Sequence, residues 1–173
     1  GMRESGSFTL KAELADKDQK LAFANSYDTE TGIDLEGTKS LSGRTLKDGE
    51  FTFEVKDKAG KVVATGSNKS DGSISFNNKL NYKLSDLEKA DGSYESEKTY
   101  EYTVNEVIPE GATAENNYTV NGVTYDSKTV NVKVTVTYNK ETGELKAELA
   151  KDSEAIAFQN SYETKTSIGL EGT

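Results

Sequence analysis

The sequence contains no cysteine and no histidine. That removes disulfides, thiol nucleophiles, zinc sites of the usual kind and histidine acid–base catalysis. Any covalent staple in this chain must therefore use other chemistry. Tryptophan is absent, and Pro109 is the one proline. Apolar side chains are scarce for 173 residues: hydrophobic types make up 33% against 29% charged, so the core is thin for the length. No apolar run approaches a membrane span, and no stretch of the sequence reads as a signal peptide. Positive charge is also short. A net charge of −9 repels phosphate backbones and argues against nucleic acid as a partner. No metal and no cofactor is implied.

What the chain does have is Val, Thr and Tyr in short alternating runs, the composition of strands. Ile33–Leu41 reads as a strand with Ile33, Leu35, Gly37, Lys39 and Leu41 on one side. Glu50–Lys56 alternates through Phe51, Phe53 and Val55, and Lys61–Thr65 and Ser73–Phe76 flank a turn through Asp71-Gly72. Leu80 to Ala90 fits a short helical turn, and the acidic stretch from Asp86 to Glu97 a solvated loop. Thr99–Ile108 is a strand ended by Pro109, and Tyr118–Tyr125 a tight hairpin about Asn121-Gly122. Thr129–Tyr138 alternates most cleanly, with Val130, Val132, Val134, Val136 and Tyr138 inward. Glu144–Leu149 and Ala155–Tyr162 are expected to close as a hairpin. Many short strands with turns at close intervals predict an all-β, antiparallel β-sandwich.

The chain also repeats itself. Leu10-Lys11-Ala12-Glu13-Leu14-Ala15 recurs as Leu145-Lys146-Ala147-Glu148-Leu149-Ala150, Phe23, Asn25, Ser26 and Tyr27 recur as Phe158, Asn160, Ser161 and Tyr162, and Leu35-Glu36-Gly37-Thr38 recurs as Leu170-Glu171-Gly172-Thr173. All three segments keep one offset of 135 positions. A period this long is a domain-sized bead rather than a solenoid unit. Residues 1–30 then read as the tail hairpin of a preceding copy, with strands Phe8–Leu14 and Leu21–Tyr27. Residues 31–165 are one whole copy, and 166–173 open the next. Asn25 is an orphan whose partner would lie before the sequence begins. The tail hairpin is expected to dock on the central copy or to exchange strands with a neighbouring molecule through residues 8–27, because a lone hairpin is marginal in water.

The period-2 rule puts three polar residues on core faces. Lys39 falls in phase with Leu35 and Leu41, Glu106 with Tyr102 and Val104, and Asn160 with Phe158 and Tyr162. Burial lowers the pKa of a lysine and raises that of a carboxyl, so both tend to the neutral form. A neutral amine is a nucleophile. A protonated carboxyl beside a carboxamide can polarise it and then shuttle protons. Attack of Lys39 on Asn160 would expel ammonia and leave an amide crosslink, once per molecule and without turnover. The same pattern admits a structural reading: Lys39 snorkelling from a strand edge, Glu106 as its ordinary ion-pair partner, Asn160 bonding a turn. Glu101 and Glu110 are poorer candidates for the acid, since Glu101 faces the opposite side by parity and Glu110 lies beyond the proline. Asp16-Lys17-Asp18 has no calcium-loop pattern. Asn68-Lys69-Ser70 and Asn117-Tyr118-Thr119 fit the glycosylation pattern, which is common by chance.

Gly37-Thr38-Lys39-Ser40-Leu41-Ser42-Gly43-Arg44-Thr45-Leu46, followed by Glu50-Phe51-Thr52-Phe53, resembles the opening of the pilin isopeptide-linkage repeats of Gram-positive pilus shafts and surface adhesins. Tyr102-Thr103-Val104-Asn105-Glu106, with Pro109 and Gly111 after it, resembles their glutamate-bearing strand, and Val123-Thr124-Tyr125-Asp126 and Phe158-Gln159-Asn160-Ser161-Tyr162 the later signatures. The resemblance implies an immunoglobulin-like sandwich of the collagen-adhesin B-type, major-pilin-like kind. It places Lys39 and Asn160 on the first and last strands and makes Glu106 the catalyst of their bond. It also implies a Gram-positive, extracellular, cell-wall-anchored surface protein. Neither a sorting signal nor a pilin-polymerisation lysine motif is visible, which favours an internal stalk repeat whose partners are neighbouring repeats of the same chain. The competing expectation is an adhesin module that binds a host protein or glycan, which an exposed groove lined by tyrosine would favour. A conventional enzyme is poorly supported.

Overall fold

The computed structural model describes residues 28–164. The tail hairpin, Asn25 and the residues from 165 onward lie outside that range. The described residues fall into two units, one of 31–82 with 95–164, the other of 28–30 with Lys83–Tyr94.

In the larger unit a ten-stranded sheet carries the core. Its strands are β2 (Glu36–Ser42), β3 (Thr52–Asp57), β4 (Val62–Asn68), β5 (Ser73–Phe76), β7 (Glu97–Glu106), β8 (Thr119–Val120), β9 (Val123–Thr124), β10 (Val130–Asn139), β11 (Glu144–Leu149) and β12 (Ile156–Tyr162). They are ordered β11-β10-β7-β3-β4-β5-β2-β12-β9-β8. Strands β1 (Glu30–Ile33) and β6 (Leu80–Lys83) form a separate pair. Phe53 of β3 and Phe158 of β12 are far apart in the sheet order, yet their ring centroids lie 5.2 Å apart. The sheet therefore folds over on itself, and its two halves face each other as an immunoglobulin-like β-sandwich.

Alternation decides which side chains fill it. Val130, Val132, Val134 and Val136 of β10 are buried, as are Tyr102, Val104 and Glu106 of β7 and Ile156, Phe158 and Asn160 of β12. The Asn121-Gly122 hairpin forms with both residues at positive φ, 53° and 84°, the backbone that a two-residue loop of matching twist requires.

Two expectations change. The strand read as Ile33–Leu41 is broken at Asp34-Leu35, because β1 pairs with β6 while β2 pairs with β5 and β12. Nor do Glu144–Leu149 and Ala155–Tyr162 make a hairpin: β11 pairs with β10, whereas β12 pairs with β2 and β9. After β11 the chain keeps following β10, with the Ala150 N–H donating to the Lys133 carbonyl at 2.9 Å and the Glu154 N–H to the Asn131 carbonyl at 2.9 Å. It then crosses to the other layer. There β12 runs parallel to β2, with Phe158 opposite Lys39 and Asn160 opposite Leu41, in an otherwise antiparallel set of pairs. No turn joins these two strands, so nothing local sets their direction.

Asn68 is 1% exposed and is a core pin, which removes it as a glycosylation acceptor. Its Oδ1 accepts the Phe51 N–H at 2.8 Å, and its Nδ2 donates to the Lys47 carbonyl at 2.9 Å and the Lys69 carbonyl at 3.1 Å. Asn68→Ala strands the Phe51 N–H and is expected to cost about 1–3 kcal/mol, read as a lower urea midpoint at unchanged slope.

Of the stretch read as a short helical turn, Leu80 to Ala90, the first four residues are strand β6, and a 3-10 turn follows at Leu84–Leu87 in the smaller unit. Asp28 caps it, accepting the Ser85 N–H at 3.0 Å and the Ser85 hydroxyl at 2.6 Å. The hydroxyl bond from Ser85 is the main cause holding the Asp28 carboxyl below its ordinary value.

Candidate functional site

Lys39, Glu106 and Asn160 meet inside the sandwich. Strand β2 delivers the amine, the end of β7 the carboxyl and the middle of β12 the carboxamide. At 3%, 4% and 5% exposure, all three are removed from solvent. Glu106 Oε2 accepts from Lys39 Nζ at 2.8 Å and from Asn160 Nδ2 at 2.9 Å. One carboxylate oxygen thus touches both the nitrogen that could attack and the nitrogen that could leave.

The surroundings are aromatic. Lys39 Nζ sits 4.6 Å from the Phe51 ring centroid and 5.8 Å from that of Phe53. Tyr125 packs edge-on to Phe51 with centroids 5.8 Å apart. Burial in this setting pushes the Lys39 amine below its ordinary pKa, with its hydrogen bond to Glu106 opposing. Burial also pushes the Glu106 carboxyl up, with the Lys39 hydrogen bond opposing. Both shifts move the pair toward the tautomer with neutral amine and protonated acid.

The loop between β9 and β10 lies against the site. The Asp126 N–H donates to Asn160 Oδ1 at 2.9 Å and to Glu106 Oε1 at 3.1 Å. Because an N–H must face an acceptor, this contact sets which end of the carboxamide is oxygen. Sequence reasoning missed this donor. A backbone N–H has no residue-type signature, although the Tyr125-Asp126 pair had been part of a recognisable motif. Neither the alternation of its strand nor the Glu50-Phe51-Thr52-Phe53 motif marks Phe51 as the ring beside the amine.

The three residues singled out by strand parity are therefore the three brought together. Glu101 is exposed on the opposite face of β7, and Glu110 is exposed in the segment after Pro109. Among the described residues no cluster of His, Cys, Asp or Glu could hold a metal ion. An open cleft of about 590 Å³ elsewhere on the sandwich is lined chiefly by charged residues such as Asp57, Glu101, Lys133 and Asp152. Its one tyrosine, Tyr102, is buried, so the cleft does not offer the aromatic groove that a ligand-binding module would favour. No helix among the described residues is long and apolar enough to cross a membrane.

A family model described as the Spy0128-like isopeptide containing domain matches residues 35–163, the stretch that holds all three side chains. No curated protein matches the sequence. Among solved structures, the chain is similar to the major pilin of Streptococcus pyogenes at 18% identity, with a TM-score of 0.42, covering 78% of this chain and 52% of that one. It is similar to the T-13 major pilin of the same organism at 17% identity, with a TM-score of 0.38, covering 80% and 55%. The chain thus spans about half the length of the pilins it matches.

Proposed function

Because the chain belongs to the family of Spy0128-like isopeptide-containing domains, we propose that it is a force-bearing structural segment of a Gram-positive cell-surface fibre, stiffened by an autocatalytic bond between Lys39 and Asn160. The fibre is a pilus shaft or the stalk of a wall-anchored adhesin, in which residues 31–165 are one bead and the neighbouring repeats of the same chain are its partners. The observation that carries the reading is Glu106 Oε2, within hydrogen-bond distance of both the Lys39 and the Asn160 side-chain nitrogens in a water-excluded core.

The chemistry balances without an outside reagent. Neutral Lys39 Nζ attacks Asn160 Cγ, the carbonyl oxygen takes up negative charge, and a tetrahedral centre forms. Protonated Glu106 delivers its proton to Nδ2 and takes one back from the former amine. The Cγ–Nδ2 bond breaks, ammonia leaves, and the Lys39–Asn160 amide remains. Each molecule reacts once, so the domain is a self-processing structural protein and not a turning-over enzyme.

Intact-mass measurement tests this directly. The parent chain is expected to be lighter than its sequence mass by one ammonia, and digestion should yield one branched peptide joining the Lys39 and Asn160 segments. Asn160→Ala should restore the mass calculated from its own sequence. A parent chain at full sequence mass after complete folding would end the proposal.

A further inference from the structure

We infer that Asp126 is a working part of the crosslinking site: its backbone N–H is the oxyanion donor, and its carboxylate is the device that aims that N–H. The inference rests on the crosslinking role proposed above and extends it by one residue.

The N–H lies 2.9 Å from Asn160 Oδ1, the atom that gains charge when the amine attacks. That is the distance range in which a fixed donor stabilises a developing oxyanion. The second branch of the same donor, 3.1 Å to Glu106 Oε1, ties the acid to the electrophile. The fork also selects the productive face of the amide. With Oδ1 on the N–H, Nδ2 must point at Glu106 Oε2, the oxygen that would hand it a proton on departure. The reversed amide would set the leaving nitrogen against a donor and away from the acid, and no ammonia could form.

The N–H is held in place by its own side chain. Asp126 Oδ2 accepts the backbone N–H of Gln159 at 2.9 Å, one residue before the electrophile on β12. Asp126 Oδ1 accepts the Lys128 N–H at 3.1 Å. The carboxylate therefore clips the loop to the strand that carries Asn160 and closes it on itself. Asn105 Nδ2 holds the far end of the loop, donating to Thr129 Oγ1 at 2.8 Å. The side chain does not lower the barrier by its charge. That charge favours the protonated form of Lys39 and so works against the nucleophile. What it contributes is position.

Asp126→Ala frees the loop and should slow crosslinking at least tenfold, since losing an oxyanion donor outright costs about 10²–10³. Asp126→Asn keeps one acceptor oxygen and drops the unhelpful charge, so its rate should stay within a few-fold of the parent. The rate is read as the growth of the ammonia-light species after a pulse of synthesis, in the full chain. The folded fraction is measured separately by placing each Asp126 substitution in a Lys39→Ala chain, which cannot crosslink. A folded Asp126→Ala chain that crosslinks at the parental rate overturns the inference, as does slowing no greater than its loss of folded molecules. Equal slowing in Asp126→Ala and Asp126→Asn overturns the aiming role of the carboxylate. A parent chain that never becomes lighter overturns the crosslink itself, and this inference with it.

Discussion

Glu106→Gln is expected to leave every molecule at its full, uncrosslinked mass while the domain still folds. Glutamine fills the same space and its one oxygen can still accept from Lys39 or from the Asp126 N–H, but it cannot take a proton from one nitrogen and give it to another. Losing a positioned acid–base group costs about 10²–10⁴ in rate. Glu106→Ala should be equally uncrosslinked and less stable, because it removes a partner 2.8 Å from a buried amine. Breaking such a pair costs about 3–5 kcal/mol, less where the amine can shed its proton. If Glu106 were only an ion-pair partner of an uncrosslinked pair, Glu106→Gln would lose stability, and parent and variant alike would show the masses calculated from their own sequences.

The pH profile sharpens the test. Neutral amine with protonated acid and ammonium with carboxylate carry the same number of protons, so they interconvert without any pH dependence. Acid adds a second proton and quenches the amine; alkali strips the shared one and removes the acid. Burial raises Glu106 and lowers Lys39, so both limits move inward from their ordinary values. The crosslinking rate should therefore show a plateau about neutrality and fall on both sides, with apparent values that belong to the pair.

How much of this was legible before the structure depends on the length scale of each signal. The inward placement of Lys39, Glu106 and Asn160 could be read because strand parity is strict, and each residue stands among apolar neighbours two positions away. The identity of the acid followed the same way: Glu101 is an odd number of positions from Glu106 and so must face outward. Pairing was less legible. The sequence of β11 and β12 fits a hairpin, but the partner of β12 is β2, over a hundred positions earlier, and no local pattern records that choice. The break at Asp34-Leu35 was hidden for a related reason. Parity runs on through a bend, while the change of hydrogen-bonding partner leaves no trace in hydropathy. Asn68 shows the limit of motifs: the three-letter glycosylation pattern, set aside as common by chance, carries no trace of the three hydrogen bonds that make this residue a buried pin. The Asp126 N–H could not be read at all, because every residue but proline carries one.

Preventing the bond should also remove most of the resistance of the sandwich to heat and force. The crosslink would close a loop of about 120 residues, which by the chain-entropy argument for disulfides is worth about 5 kcal/mol. For a domain of this size that corresponds to a fall in Tm on the order of 15–20 °C. Lys39→Met is the informative substitution. It is close in volume, and it removes a buried amine whose desolvation is itself unfavourable, so its intrinsic effect on folding should be small or positive. A large fall in Tm can then be assigned to the missing bond, and Asn160→Ala and Glu106→Gln should reproduce it by independent routes. The mechanical consequence follows from the parallel pairing of β2 and β12, with Lys39 opposite Phe158. Tension that enters along β2 would cross at Lys39 to Asn160 and leave through Tyr162, so residues 40–159 would carry none of it. In single-molecule extension the parent domain should therefore show no unfolding step. The Lys39→Met domain should unfold in one step that releases about 400 Å of chain, the extended length of the segment the bond would shield. That step should still need appreciable force, because pulling parallel terminal strands in opposite directions loads their hydrogen bonds together. A parent domain that extends by the full length at the same force as Lys39→Met would show that no covalent path joins the two strands.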